Sequence, residues 1–243
     1  MRPDGRAAGE LRPITFTRRY TDTPAGSVLV TWGRTIVFCT VAVESGVPPW
    51  LVGQGQGWAT GEYAMLPAST KSRKPRESTR GRQDSRNVEI SRLIGRALRS
   101  VLDLKAFGER TLWADCDVLQ ADGGTRTAAI SGSYVALFDA LKSLEKEKEL
   151  RRWPIRTPLA AVSVGIFGGE PLLDLCYRED SGAEVDMNVV MTGDGRYIEV
   201  QGTGEKRPFS AAEHEALLSL AGAGVTEVIR LQEAALAASP EKA

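Results

Sequence analysis

Residues 111–144, TLWADCDVLQADGGTRTAAISGSYVALFDALKSL, constrain the fold more than any other stretch of the chain. Apolar and polar side chains alternate through TLWADCDVLQ, the period of a strand with one buried face. Ile130, Tyr134, Leu137, Leu141 and Leu144 then recur at helical spacing, which predicts a long helix with one apolar stripe, running to about residue 150. Between the two stand Gly123 and Gly124. A strand that passes through two glycines into a helix opens on a helix N-terminus, where free N–H groups and partial positive charge favour an anion. Arg126 is a cation in that first turn, at the end where the dipole opposes it.

The rest of the chain alternates hairpins with helices. SVLVTWGRTIVFCTVAV predicts a hairpin turning near Gly33–Arg34; LAAVSVGIFGGEPLLDLCY predicts a second around Gly168–Gly169; EVDMNVVMTGDGRYIEVQG predicts a third at residues 193–195. NVEISRLIGRALRSVLDL predicts a helix capped by Asn87, with Ile90, Leu93, Ile94, Ala97, Leu98 and Val101 inward and Arg92, Arg96 and Arg99 on a solvated face. LVGQGQGWATGEYAMLPAS reads as a glycine-rich irregular segment. Ser210 and Glu213 form a capping box, with Phe209 as its staple, and open a helix towards Gly222. A separate helix over residues 224–238 closes the chain. This alternation predicts an α+β fold, read as one domain over residues 1–243.

Composition narrows the function. The 31 basic and 31 acidic residues cancel, so any attraction for nucleic acid has to be local. One histidine, His214, removes most histidine-dependent catalysis and zinc chemistry, and the single, unclustered Cys39, Cys116 and Cys176 read as buried free thiols. No apolar run approaches the roughly 20 residues of a membrane helix, and residues 1–13 carry no signal core, so a cytoplasmic protein without a membrane partner is expected.

Three constellations carry possible chemistry. Arg86 precedes Asn87 at the start of one helix as Arg126 stands at the start of another, each opposing a dipole at about 0.3–1 kcal/mol. A phosphate shared by both guanidinium groups and the N–H groups of Gly124, Thr125 and Arg126 would reverse both signs; a plain strand-to-helix turn with solvated arginines uses the same residues. Asp180 and Asp186 flank a Ser181–Gly182 turn, with Asp180 expected to end one strand and Asp186 to lie in the next. Such a pair suits Mg²⁺ or Mn²⁺, or is a polar turn with solvated acids. The run 71–86, which includes Arg73, Arg76 and Arg80, sets seven Lys/Arg against two acids and reads as a flexible arm that binds RNA or DNA, or as a solvated loop.

The blocks MRPDGR, ELRPI, RLIGRALR, CDVLQADGGTRTAAI and EDSGAEVDMNVVMTG together resemble ribonuclease PH, the phosphorolytic exoribonuclease family that trims tRNA, along essentially the whole chain. Polynucleotide phosphorylase and the catalytic exosome subunits are related to it. The resemblance implies a ribosomal protein S5 domain 2-like fold assembled as a homohexameric ring, a trimer of dimers. It implies that Arg86 and Gly124–Thr125–Arg126 bind inorganic phosphate as co-substrate, and that Asp180 and Asp186 hold Mg²⁺ or Mn²⁺ and carry catalysis. Arg73 and Arg76 fall at positions linked to tRNA, so tRNA precursors and other RNA 3′ ends are the implied partners. Four positions depart from the patterns of these relatives. Ala68 stands where an arginine is common, Asp84–Ser85 replaces Ser-Gly before Arg86, and Asn188 occupies a place held by lysine in polynucleotide phosphorylases.

Overall fold

The computed structural model describes residues 2–239 and contains two sheets with helices between and around them. Strands β1 (Ile14–Arg18), β2 (Gly26–Trp32), β3 (Thr35–Ser45), β4 (Trp58–Met65) and β5 (Arg110–Gln120) form the first, in the order β1-β2-β3-β5-β4. Only β4 and β5 run parallel. Strands β6 (Leu159–Phe167), β7 (Glu170–Leu173), β8 (Val185–Thr192) and β9 (Tyr197–Gly204) form the second, antiparallel, in the order β7-β6-β8-β9. The helices are α1 (Glu77–Arg80), α2 (Ser85–Ser100), α3 (Thr125–Lys146), α4 (Tyr177–Asp180) and α5 (Ala211–Ala237). The α+β class and all three expected hairpins are present.

The long helix α3 joins the layers. It packs against β2 and β3 on one side and β6 on the other, and every residue from Thr125 to Leu141 except Phe138 is buried. The sequence pattern marked only one stripe; the other faces are small residues that let the sheets come close. A Cβ on Gly132 would lie 2.4 Å from the Val30 side chain and 2.7 Å from Cys39 Sγ. One hydrophobic cluster therefore runs through both sheets, α3 and α5. Burial of each of Ile130, Leu137 and Leu141 contributes about 1.5–3 kcal/mol to it.

Helix α2 lies along β4, the edge strand of the first sheet. The Tyr63 N–H donates to Ser91 Oγ at 2.9 Å and Arg99 donates to the Ala59 carbonyl at 2.7 Å, so α2 satisfies edge groups that would otherwise seek another strand. This corrects two expectations. Residues 58–65 are a strand, hidden from the sequence pattern by Gly61, where a Cβ would sit 2.7 Å from Ile94. Arg99 leaves the solvated face, its guanidinium 4.1 Å above the Trp58 ring, and Arg96 pairs with Glu199 while Arg92 stays exposed.

The two helices expected after Ser210 are one, α5, opened by the foreseen capping box. The helix runs through Gly222, the expected end, without a break, and Gly224 stands where a Cβ would meet Leu173 of β7 at 2.6 Å. Glycine costs a helix about 1 kcal/mol relative to alanine, less than such packing returns. The three cysteines are buried and free. Among the described residues no helix is long and apolar enough to cross a membrane.

Candidate functional site

The glycine turn predicted between β5 and α3 is built for close approach. Gly123 and Gly124 have φ of 81° and 66°, and a Cβ on Gly123 would lie 2.4 Å from the Leu175 carbonyl oxygen. Side chains other than glycine rarely adopt that backbone and would not fit here. Gly124 caps α3 without a side-chain bond. Among the described residues none accepts a hydrogen bond from the N–H groups of Gly123, Gly124, Thr125 or Arg126. The Thr125 hydroxyl accepts from the buried Tyr63 phenol at 2.8 Å, which fixes its rotamer.

Arg126 is buried in the first turn of α3, where its guanidinium donates to Glu89 of α2 at 3.1 Å and to Gln201 of β9. Arg86 lies exposed in the first turn of α2, without an ion-pair partner among the described residues. The α2 cap is Asp84 and not Asn87: its carboxylate accepts from the Arg86 N–H at 3.0 Å, while Asn87 sits within the helix and donates to Glu77 at 2.7 Å. Asp84, one of the departures from the family pattern, is thereby committed to the helix end, with Arg80 4.0 Å away.

Asp180 and Asp186 approach from the second sheet. Asp186 is on β8, opposite Gly165 of β6. Asp180 does not end a strand as expected; β7 stops at Leu173 and Asp180 is the last residue of the one-turn helix α4. Burial raises the Asp180 carboxyl, opposed by the charges of Arg86 and Arg126. Burial, and next the charge of Asp180, push Asp186 up to about 6, again opposed by Arg126 and Arg86. Both arginines thus act on both acids, so the four side chains share one electrostatic neighbourhood. Glu205, just past the end of β9, raises both carboxyls as well.

Among the described residues no three His, Cys, Asp or Glu side chains gather to enclose an ion. The pair still fits Mg²⁺ or Mn²⁺: two hard oxygen donors whose repulsion a cation would relieve, with other positions left to water and phosphate oxygens.

The basic run is partly structured. Arg76 precedes α1, Arg80 ends it, and Gly81 closes it with φ 66°. Glu77 ties this turn to α2 by accepting from the Asp84 N–H at 2.9 Å as well as from Asn87. Arg73, Arg76 and Arg80 are all exposed, and the Arg76 charge reaches Asp117 of β5. A groove of about 470 Å³ between α2 and the outer face of β4 and β5 has Glu62, Asp115 and Asp117 in its walls, a lining that repels phosphate. His214 is half-exposed and stacks on Phe209.

Sequence reasoning missed Glu89, Gln201, Glu205, Thr35 and Arg12, all brought to the site by packing. Arg12 is the most connected. It is buried, pairs with Asp174 at 2.6 Å, and donates to the Asp122 carbonyl at 2.6 Å. Beside it Arg2 pairs with Glu179 of α4 at 2.8 Å. The signals were the crowding of arginines in MRPDGRAAGELRP and the place of MRPDGR and ELRPI among the blocks of the resemblance.

Comparison with known proteins adds lineage to this geometry. The family model described as 3′ exoribonuclease family, domain 1, matches residues 10–142, and its domain 2 counterpart matches residues 157–224. Rice (Oryza sativa) Rrp46 superposes with a TM-score of 0.75 at 21% identity, covering 97% of this chain and 100% of that one. A chain of the Archaeoglobus fulgidus exosome with RNA bound to the active site gives a TM-score of 0.76 at 21% identity, covering 94% and 91%. At that identity the two likenesses establish the fold.

Proposed function

The chain belongs to the ribonuclease PH family of 3′ exoribonucleases, and from that premise we propose that it is a phosphate-dependent 3′-to-5′ exoribonuclease that trims tRNA precursors. It releases nucleoside 5′-diphosphates and runs in reverse as a nucleotidyltransferase. What supports the reading is that the charges of Arg86 and Arg126 act on both Asp180 and Asp186, while among the described residues nothing accepts from the N–H groups of residues 123–126. The exosome chain of the same fold, solved with RNA bound to the active site, supports it.

Inorganic phosphate would sit on the N–H groups of residues 123–126 with Arg126 and Arg86 on its oxygens. One of those oxygens attacks the terminal phosphorus of the RNA. A P–O bond forms, the bond to the preceding 3′ oxygen breaks, and the proton carried by monohydrogen phosphate ends on that oxygen. No strong base is needed, in keeping with a chain that has a single histidine. A divalent ion on Asp180 and Asp186 would stabilise charge on the transferring group. One phosphoanhydride replaces one phosphodiester, so the reaction is reversible. Arg73, Arg76 and Arg80 would follow the RNA backbone away from the cut. The proposed working form is a cytoplasmic homohexamer, a trimer of dimers of the 243-residue unit, with Trp50 and Val52, each 65% exposed, as candidate contact residues.

Incubation of a tRNA precursor with and without phosphate tests the reading. Phosphate-dependent release of nucleoside diphosphates is expected. Monophosphates released without phosphate would replace it with hydrolysis, and binding without release would reduce the protein to an RNA-binding subunit.

A further inference from the structure

Two consecutive glycines leave the turn at residues 122–124 without an orientation of its own, since glycine populates both signs of φ. Its carbonyls are clamped from behind. Arg12 donates to the Asp122 oxygen at 2.6 Å and to the Gly123 oxygen at 3.4 Å. Thr35, fully buried at the start of β3, donates from Oγ1 to the same Gly123 oxygen at 2.7 Å and accepts the Asp122 N–H at 2.9 Å. Arg12 is itself held by both oxygens of Asp174, at 2.6 and 2.9 Å, and Trp32 Nε1 donates to that carboxylate at 2.9 Å.

In a planar trans peptide the N–H points opposite to the C=O. Drawing the Asp122 and Gly123 oxygens towards Arg12 and Thr35 therefore turns the Gly123 and Gly124 N–H groups the other way, where no described residue accepts from them. We propose that Arg12 and Thr35 are positioning residues for phosphate: without touching the anion, they hold the glycine turn so that its N–H groups face it. The proposal rests on the phosphorolytic reading above. It gives the arginine-rich N-terminal segment a part in that reaction, because Arg12 spans the gap between Asp174 and the turn. Orienting N–H donors before the ligand arrives removes a cost that a free glycine turn would charge against binding.

Thr35→Val keeps the shape of the side chain and removes both hydrogen bonds, and Thr35→Ser keeps them. For Thr35→Val the KM for phosphate should rise about fivefold or more, with kcat at saturating phosphate and KM for RNA held within about twofold, and Thr35→Ser should restore the wild-type value. Phosphate alone should raise the melting temperature of the wild type and of Thr35→Ser, and raise it less in Thr35→Val. An unchanged phosphate KM in folded Thr35→Val overturns the proposal. A joint fall in kcat and RNA affinity overturns it too, since that marks general loosening. Should Thr35→Val fail to fold, Arg12→Lys, which shortens the reach to both carbonyls, carries the same comparison, and either of those two results overturns the proposal there as well. A wild type with neither phosphate-dependent turnover nor phosphate-induced stabilisation sinks the phosphorolytic reading itself, a result distinct from an unchanged variant.

Discussion

Arg126 stands where a helix dipole opposes it, and the structure supplies the neighbours that keep it there. Glu89 and Gln201 hold its guanidinium in the turn of α3, so its position is set before any anion arrives. A hydrogen bond to a charged group is worth about 1.5–3 kcal/mol, so Arg126→Ala should raise the KM for phosphate about 10- to 100-fold, measured by initial rates over a phosphate series. Asp174 is a residue that no local pattern singled out. It is fully buried, and Arg12 holds its carboxyl below the usual range against the opposing effect of burial. A carboxylate depressed in the folded state adds stability above its unfolded pKa of about 3.9 and loses it as the pH falls through the lower folded value. Asp174→Asn should therefore cost about 3–5 kcal/mol at pH 7, because Arg12 is left buried and unpaired. It should also show a smaller further loss between about pH 4 and pH 2 than the wild type; urea unfolding at each pH measures both.

At the scale of elements, periodicity located α3 but not its surroundings. Ile130, Tyr134, Leu137, Leu141 and Leu144 marked a helix, yet Gly132 and Ala136, on another face, decide how closely β2 and β3 approach. Gly132→Val would drive side-chain carbons into Val30 and Cys39, and overpacking of this kind costs about 1–3 kcal/mol or more. A lowered midpoint in urea with an unchanged m-value should report it. The same logic explains what was misread. Gly61 looked like part of an irregular segment, whereas it is the point at which Ile94 of α2 comes nearest. Asn87 looked like a cap because Asp84 lay inside a charged run with no pattern of its own.

At the scale of the whole molecule, a chain with no net charge still separates its charges. The 71–86 segment is basic and exposed, while the sheet face beside it bears Glu62, Asp115 and Asp117. Binding to single-stranded RNA should weaken linearly on a log–log salt plot. Replacing Arg73, Arg76 and Arg80 together by alanine should reduce that slope by about 2, at about 0.7 per phosphate contact. An unchanged slope from fluorescence anisotropy would remove the arm from the RNA path.

The sequence by itself determined the class of fold, the strand–glycine–helix turn with Arg126 on it, and the candidate acids, because each of these is written in spacing along a few neighbouring residues. It also carried the family resemblance, which matching of residues 10–142 and 157–224 bears out. Only the tertiary structure decided that Arg86 of α2 and Arg126 of α3 act on Asp180 of α4 and Asp186 of β8, and that Arg12 and Thr35 stand behind the turn. Those contacts join residues far apart in the chain, held together by the burial of α3 between two sheets. No local period encodes a contact whose energy comes from closing the core around it.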